Sequence, residues 1–150
     1  MNTECSICHC ETCELTDIRG QLYCDECAEI AEGEGYMYLA SPYSHPEAEV
    51  RRRRFDAVCK AAAKLMLAGR VVFCPIAHSH PIHTHGVDAI DHDFWLRQDK
   101  PFLDNAECVG VLMLRGWDTS VGVIHEIGEA VDAGKQVIYY TPSDFDIEEM

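Results

Sequence analysis

The sequence predicts an α/β protein in which helices cover both faces of a parallel sheet, preceded by a small metal-binding module. From residue 36 onward, short apolar segments of strand length alternate with longer segments of helical length, an order typical of right-handed crossovers between parallel strands. Before residue 36, six of the nine cysteines lie within residues 5–27. We therefore expect a three-layer, flavodoxin or Rossmann-like domain over residues 36–150 and a zinc-binding module over residues 1–35.

Each predicted element has its own signal. Ser44 is followed three residues later by Glu47, a capping box that begins a helix, and Gly69 and Gly134 are typical of helix ends. Apolar runs between turn residues predict the strands. In chain order we expect a strand at 36–40, a helix at 44–68, a strand at 71–74, a polar loop at 76–90, helical segments at 91–98 and 101–106, a strand at 108–114, a helix at 121–133, a strand at 136–140 and an irregular acidic tail at 141–150.

Composition and charge argue against several classes of protein. The net charge of −14 opposes a nucleic-acid backbone, so we do not expect nucleic acid as a partner. The longest apolar run, residues 108–114, is too short to span a bilayer, and no signal peptide is visible at the start. We therefore expect a cytoplasmic protein without membrane contact, in which clustered cysteines favour metal over disulfides.

The clustered cysteines form three Cys-x2-Cys pairs, which are Cys5 with Cys8, Cys10 with Cys13, and Cys24 with Cys27. Two such pairs flanking a hairpin are typical of treble-clef and zinc-ribbon modules, since four thiolates complete a tetrahedral shell. Cys24 and Cys27 serve in either arrangement. The longer gap favours Cys5 and Cys8 as the other pair, with Cys10 and Cys13 as the alternative. A closed shell makes the zinc structural, and no organic cofactor is expected.

Two acidic side chains are candidates for catalysis. Glu126 lies on the helix that follows the 108–114 strand, and Asp99 lies upstream of the same strand. Open α/β sheets bind ligands at the carboxyl ends of their strands. Two carboxylates meeting there indicate glycosidic-bond chemistry, with one acting on the sugar and the other protonating the leaving group. In the simpler alternatives, Glu126 is a solvated helix residue and Asp99 is a helix cap.

Three motifs within residues 36–141 support this interpretation. The first strand continues as Tyr38-Leu39-Ala40-Ser41-Pro42-Tyr43, Asp99 lies eight residues before Glu107, and the last helix begins as Ser120-x-Gly122-x3-Glu126. In these motifs the chain resembles the nucleoside 2-deoxyribosyltransferase superfamily, which includes the 2′-deoxynucleoside 5′-monophosphate N-glycosidases and a phage and bacterial branch. It departs from that pattern at Glu107, usually an aspartate, and at His125, where an apolar or aromatic residue is expected.

The resemblance implies an activity and residue roles. Glu126 would attack C1′ of a deoxyribosyl group to form a covalent glycosyl-enzyme, and Asp99 would position the ring or protonate the departing base. The implied reaction is cleavage or base exchange on small-molecule 2′-deoxynucleosides or their 5′-monophosphates, by a homo-oligomer whose neighbouring chain completes the pocket. The expected substrate-binding residues are Ser41, Pro42, Tyr43, Ser44, His78, His80, Ser120 and Gly122.

Two further features leave alternatives open. The histidines and acids of residues 78–93 suit substrate lining, a metal centre or a plain surface loop. Of Arg51–Arg54, at most two share a helix face, so we expect a solvated run that pairs with acids, with one arginine reaching a phosphate as the alternative. Two other functions stay open: a nucleotide-sensing module that contacts a protein partner through the zinc module, and a metal-dependent hydrolase that uses the histidine segment.

Overall fold

The structure, a computed structural model, describes residues 5, 14–18, 21–24 and 35–149. A two-stranded antiparallel hairpin is formed by β1 (Leu15–Ile18) and β2 (Gln21–Cys24), as expected for a hairpin flanked by two cysteine pairs. The predicted module of residues 1–35 lies mostly outside the described residues. Its boundary with the following domain therefore stays a prediction.

A four-stranded parallel sheet forms the centre of the main domain. Its strands are β3 (Met37–Ala40), β4 (Val72–Phe73), β5 (Cys108–Leu112) and β6 (Gln136–Tyr140). Their order is β4-β3-β5-β6, and all neighbouring pairs run parallel. Every residue of β3 and β5 is buried, as expected for central parallel strands covered on both faces.

Within residues 35–149, four helices accompany the sheet, namely α1 (Ala48–Leu67), α2 (Pro75–His83), α3 (His92–Asp104) and α4 (Val121–Asp132). Short 3₁₀ turns span Trp117–Thr119 and Pro142–Phe145. None of the helices in the described ranges combines the length and apolar character needed to cross a membrane.

Alternation along the strands divides the core into two layers. Met37 and Leu39 of β3 pack with Val58, Ala61 and Leu65 of α1 on one face of the sheet. The intervening β3 residues, Tyr38 and Ala40, belong to the other layer, together with residues of α3 and α4. The structure thus has the three-layer parallel arrangement that the sequence predicts.

Several predicted boundaries are wrong. The capping box at Ser44 and Glu47 does not form, because α1 begins at Ala48 and the Glu47 side chain makes no capping hydrogen bond. The predicted loop at 76–90 contains α2, since Pro75 ends β4 and also occupies the first turn of this helix, where a proline loses no hydrogen bond. The acidic tail is also not irregular throughout, because the Pro142–Phe145 turn buries Phe145.

The third helix is continuous where two separate segments were expected. Pro101 lies inside α3. Because proline has no backbone N–H, one hydrogen bond of the helix is missing there. The helix nevertheless continues to Asp104, because Leu103 is buried in the core layer that it shares with α4. Packing of the last turn therefore outweighs the missing hydrogen bond.

Candidate active site

A cavity lies at the carboxyl ends of β3 and β5, the two central strands. The chain leaves β3 toward β4 and leaves β5 toward β6, so its connections diverge at this point. Such a switch point is where open parallel sheets bind ligands. The cavity holds about 630 Å³ of unoccupied space, part of it open to solvent, between the loop after β3, helices α2 and α3, and the start of α4.

Helix α4 brings a carboxylate to this cavity. Ser120 is its N-cap, and the Ser120 hydroxyl accepts a hydrogen bond of 3.4 Å from the Val123 backbone N–H. Gly122 and Glu126 follow on the helix face that lines the cavity. A β-carbon at Gly122 would lie 3.6 Å from Glu126 Oε1, in ordinary van der Waals contact, so Gly122 borders this carboxylate directly.

The environment of Glu126 favours its neutral form. Oε2 is shielded from solvent, and no hydrogen-bond partner for it exists among the described residues. Burial raises the pKa of Glu126 to about 8; the Tyr38 hydroxyl acts to lower it, and the negative charge of Asp99 adds to the rise. A solvated helix residue would have no such shift, so this simpler interpretation of Glu126 does not fit the structure.

Asp99 reaches the same cavity from α3. Burial raises the pKa of Asp99 to about 6. With Glu126 at about 8, the two carboxyl groups together retain about one proton near neutral pH. The pair therefore offers one protonated and one ionised carboxyl group within a single cavity. Cleavage of a glycosidic bond uses both, one to protonate the leaving group and one to act on the sugar.

Sequence reasoning missed Tyr38. Its side chain is fully buried, and its hydroxyl makes no close hydrogen bond within the described part of the chain, although it lies near enough to the Glu126 carboxyl to lower the pKa of that group by hydrogen bonding. Burial, then the charges of Glu126 and Asp99, raise the pKa of Tyr38 far above its usual value, so the phenol stays protonated beside the two carboxyls. A tyrosine in a wholly apolar strand was the available signal, because a buried hydroxyl needs a partner.

The loop after β3 supplies much of the cavity wall. Ser41, Tyr43 and Ser44 line the cavity, as the sequence led us to expect. Ser41 is only 5% exposed, and its hydroxyl also has no protein partner among the described residues. Pro42 is buried outside the cavity lining, so its expected contact with substrate is not supported.

Two of the expected histidines also lie outside the cavity lining. Because residues 75–83 form a helix, side chains four residues apart share a face, and Ser79 and His83 line the cavity. His78 instead lies near the rings of Phe73 and Phe102. Neither His78 nor His80 is among the residues that line the cavity, and their role in substrate binding stays a prediction.

His80 acts on the cavity indirectly. Its ring stacks on Phe55 at 4.2 Å, and its Nδ1 lies 2.6 Å from the Tyr43 hydroxyl. Burial is the main cause of the lowered pKa of His80, to which the neighbouring His83 contributes. His80 therefore fixes the orientation of Tyr43, one of the cavity residues.

The four arginines of α1 divide into two pairs. Arg52 and Arg53 form exposed ion pairs with Glu49, which confirms for these two the solvated, acid-pairing run. Arg51 donates to backbone carbonyls of the loop after β3. Arg54 donates to the carbonyl oxygens of Ser44 at 2.9 Å and Arg115 at 3.4 Å, and so joins the two loops that flank the cavity.

Two of the six expected zinc ligands lie among the described residues. Cys5 and Cys24 are buried, whereas the other expected zinc ligands, Cys8, Cys10, Cys13 and Cys27, lie outside the described residues. The zinc module stays a prediction, and measuring zinc per chain by elemental analysis tests it. Among residues 35–149 and the short described stretches before them, no three histidine, cysteine or acidic side chains converge as a metal site.

Comparison with known proteins places the chain in a family. Residues 35–142 match the family described as domain of unknown function DUF1937. The chain belongs to this family. No curated protein matches it significantly in sequence. One similar solved structure is a 2-deoxyribosyltransferase from Bacillus psychrosaccharolyticus, with a TM-score of 0.53 and 23% identity over 77% of this chain and 75% of that one.

This structural likeness concerns the fold. At 23% identity, it shows that the DUF1937 domain shares the parallel α/β architecture of a nucleoside-processing enzyme. A shared fold does not determine the reaction, which depends on the residues that line the cavity.

Proposed function

We propose that this protein is a deoxyribosyl-transferring or hydrolysing enzyme that cleaves the N-glycosidic bond of 2′-deoxynucleosides or their 5′-monophosphates. The observation that carries the proposal is a pair of carboxyl groups with raised pKa values, those of Glu126 and Asp99, in one cavity at the switch point of the sheet. The shared fold with a 2-deoxyribosyltransferase supports the same class of reaction.

Glu126 is the proposed nucleophile. In its ionised form it attacks C1′ of the sugar as the bond to the base breaks, which gives a glycosyl-enzyme ester. Water or a second base then attacks C1′ and releases the carboxylate. The buried, unpartnered Oε2 suits this role, because no protein hydrogen bond among the described residues has to break before attack.

Asp99 is the proposed proton donor. Attack requires the form of the pair in which Glu126 is ionised and the single proton lies on Asp99, the reverse of the order of their two pKa values. As the bond breaks, the electron pair moves to the base, and this proton neutralises it. The phenol of Tyr38, protonated and adjacent to Glu126, is proposed to donate to the Glu126 carboxylate and hold it toward C1′. Tyr38 is therefore a positioning residue.

The sugar is proposed to be 2′-deoxyribose. A carboxylate approaching C1′ crowds a 2′-hydroxyl, and removing that hydroxyl leaves room for attack. Ser41, Ser44 and Ser120 offer hydroxyl groups along the cavity, and the N-terminus of α4 favours an anion. These groups favour a 5′-monophosphate over the free nucleoside, against the long-range repulsion of the −14 net charge, which salt screens.

The deciding experiment incubates the protein with a panel of deoxynucleosides, their 5′-monophosphates and the matching ribonucleotides, and measures released base. Base release from deoxy substrates, with a deoxyribosyl adduct on the Glu126 peptide by mass spectrometry, is the expected result. Faster release from ribonucleotides contradicts the sugar assignment, and faster release from free deoxynucleosides contradicts the phosphate assignment. Binding without release by any substrate would instead favour the nucleotide-sensing module.

A further inference from the structure

The segment that follows β6 returns to the loop that precedes α4. The Oε2 atom of Glu149 accepts a hydrogen bond of 2.7 Å from the backbone N–H of Arg115, 34 positions earlier in the chain. Arg115 is the first residue of the loop after β5 (residues 115–120), which ends at Ser120, the N-cap of α4. A distant carboxylate thus contacts the loop from which the helix of Glu126 begins.

The backbone of Arg115 needs partners from outside the sheet. The register between β5 and β6 ends at the pair of Leu112 with Tyr140, and Arg115 lies beyond this pair, where its N–H and carbonyl groups still require hydrogen bonds. Glu149 accepts from the N–H, and Arg54 Nη2 donates to the carbonyl oxygen at 3.4 Å. Charged side chains from two other parts of the chain therefore hold both backbone groups of this one residue.

The two charged side chains also support each other. Burial lowers the pKa of Arg54, and the negative charge of Glu149 acts to raise it, so the carboxylate stabilises the charged guanidinium. Arg54 donates in addition to the carbonyl oxygen of Ser44 at 2.9 Å. Glu149 therefore acts on both loops that flank the cavity, on one directly and on the other through Arg54.

The segment that carries Glu149 has its own anchors. Ile147 packs against the core layer on the α1 face of the sheet. The Asp146 carboxylate accepts a hydrogen bond of 2.6 Å from Lys64, and the Asp146 carbonyl oxygen accepts one of 2.8 Å from Lys60. These contacts with α1 fix the path of the segment just before Glu149, so its carboxylate reaches the loop from a defined side.

We propose that Glu149 is a positioning residue of the active site, which holds the loop after β5 where Ser120 and Glu126 face the cavity. The loop can transmit this effect because it is hydrogen-bonded within itself. The Trp117 N–H donates to the Leu114 carbonyl oxygen at 3.0 Å, and the Ser120 N–H donates to the Trp117 carbonyl oxygen at 3.4 Å. The loop therefore moves as one unit up to the start of α4.

Loss of the Glu149 carboxylate should displace the loop without unfolding it, because Trp117 still packs in the core layer on the α4 face. The loop then occupies its binding-competent position for only part of the time. The apparent affinity for substrate falls in proportion to that fraction. This kinetic consequence rests on the proposed function, whereas the contact between Glu149 and Arg115 does not.

Amide hydrogen exchange of the full chain, followed by NMR, tests the contact. In Glu149→Ala the Arg115 amide should exchange about tenfold or more faster, because it loses its acceptor. Glu149→Gln retains an acceptor oxygen and should keep most of the protection. Glu148→Ala removes the adjacent exposed acid, and as the matched control it should leave the exchange of Arg115 unchanged.

The kinetics of base release test the positioning role. Glu149→Ala should raise KM about tenfold and change kcat by less than about twofold, and Glu149→Gln should recover part of this increase. A purely structural role would instead reduce the amount of folded enzyme and so lower kcat at unchanged KM. Glu148→Ala should have the kinetics of the wild type.

Combining Arg54→Met with Glu149→Ala tests whether both side chains act on the same residue. The KM of the double variant should rise by less than the product of the two single increases. Equal exchange of the Arg115 amide in Glu149→Ala and Glu148→Ala overturns the proposal, as does an unchanged KM in Glu149→Ala or a fully multiplicative increase in the double variant. A wild type that releases no base contradicts the proposed function instead, and the exchange measurement then decides whether Glu149 holds the loop.

Discussion

Helices α1 and α4 pack on opposite faces of the same sheet but distribute their charges in opposite ways. The buried residues of α1 are all apolar, and its outer face carries ion pairs such as Arg52 with Glu49 at 2.7 Å. In α4 the carboxyl group of Glu126 is on the inner side, and the outer side exposes valine and isoleucine.

This contrast separates structural from functional requirements. Helix α1 follows the ordinary pattern, in which apolar burial stabilises the fold and charges remain in water. Helix α4 breaks the pattern on both sides, and each departure costs stability in the isolated chain. Such departures are expected at functional surfaces, which agrees with the proposed catalytic role of Glu126 on α4.

The largest expected effect is on activity. Glu126→Gln removes the carboxylate of α4 while keeping its shape, and should reduce base release on the order of a thousandfold or more, because amide oxygen is a poor nucleophile. Glu129→Gln on the same helix, whose carboxylate lies near Lys100, is the control and should retain activity. Near-normal turnover by Glu126→Gln would refute the nucleophile assignment.

The second prediction concerns pH. In the wild type, kcat/KM should follow a bell with limbs near pH 6 and 8, the two raised pKa values. Below pH 6 both carboxyls are protonated and none attacks. Above pH 8 neither retains a proton for the base.

The variant Asp99→Asn distinguishes the two roles within this bell. Its residual activity should rise with pH through the pKa of Glu126, now below 8 because the charge of Asp99 is gone, and should not fall at alkaline pH. If Asp99 were the nucleophile, this variant would be inactive at every pH, and measuring its pH–rate profile separates the two cases.

The third prediction concerns the stability cost of the buried carboxyl. The pKa of Glu126 rises from 4.5 to about 8 on folding, so its stabilising contribution is complete below pH 4.5 and is lost as the pH rises through 8. Relative to wild type, Glu126→Gln should be equally stable at pH 4 and on the order of 5 kcal/mol more stable well above pH 8. Urea unfolding across this range measures it, and a difference that is constant with pH would contradict it.

A smaller effect is expected at Tyr38. Tyr38→Phe removes the hydroxyl beside Glu126 and should lower kcat about tenfold with little change in KM, the loss of one hydrogen bond in the transition state. The alkaline limb of the pH profile should also move upward, because the hydroxyl acts to lower the pKa of Glu126. Tyr140→Phe, in the core layer on the α1 face, is the control and should change neither quantity.

The smallest effect is expected on the outer face of α1. Arg53→Gln removes an exposed ion pair of 3.3 Å with Glu49 and should change the free energy of unfolding by less than about 0.5 kcal/mol. Thermal unfolding in low and high salt checks this. A decrease of more than about 1 kcal/mol in the free energy of unfolding would mean that the exposed ion pairs of α1 contribute to stability, contrary to the ordinary pattern.

The sheet and the position of Glu126 were predictable because they depend on local patterns. The apolar runs at β3, β5 and β6 have strand length and predict the strands directly. Glu126 lies one turn after Gly122 on the helix that follows a central strand, and such a helix begins at the edge of the sheet where ligands bind. The course of α2 was not predictable in the same way. Its histidines and Pro81 suggested a loop, and the face that meets the cavity depends on packing between Phe55 and His80.

Tyr38 and Arg54 show a second limit of sequence reasoning. Tyr38 lies more than eighty positions before Glu126, and their proximity depends on β3 and β5 being neighbours. Arg54 looked like one member of a solvated run. Its contacts with two backbone carbonyls carry no sequence signal, because any residue can supply a carbonyl group.

The position of Arg54 has a consequence for the energetics of ligand binding. Its guanidinium joins the loop after β3 to the loop after β5 as the chain folds, before any ligand arrives. The conformational entropy of ordering these two walls is therefore lost during folding and does not subtract from affinity. Shortening this one side chain on α1, outside the cavity, would transfer that entropic cost to the binding step.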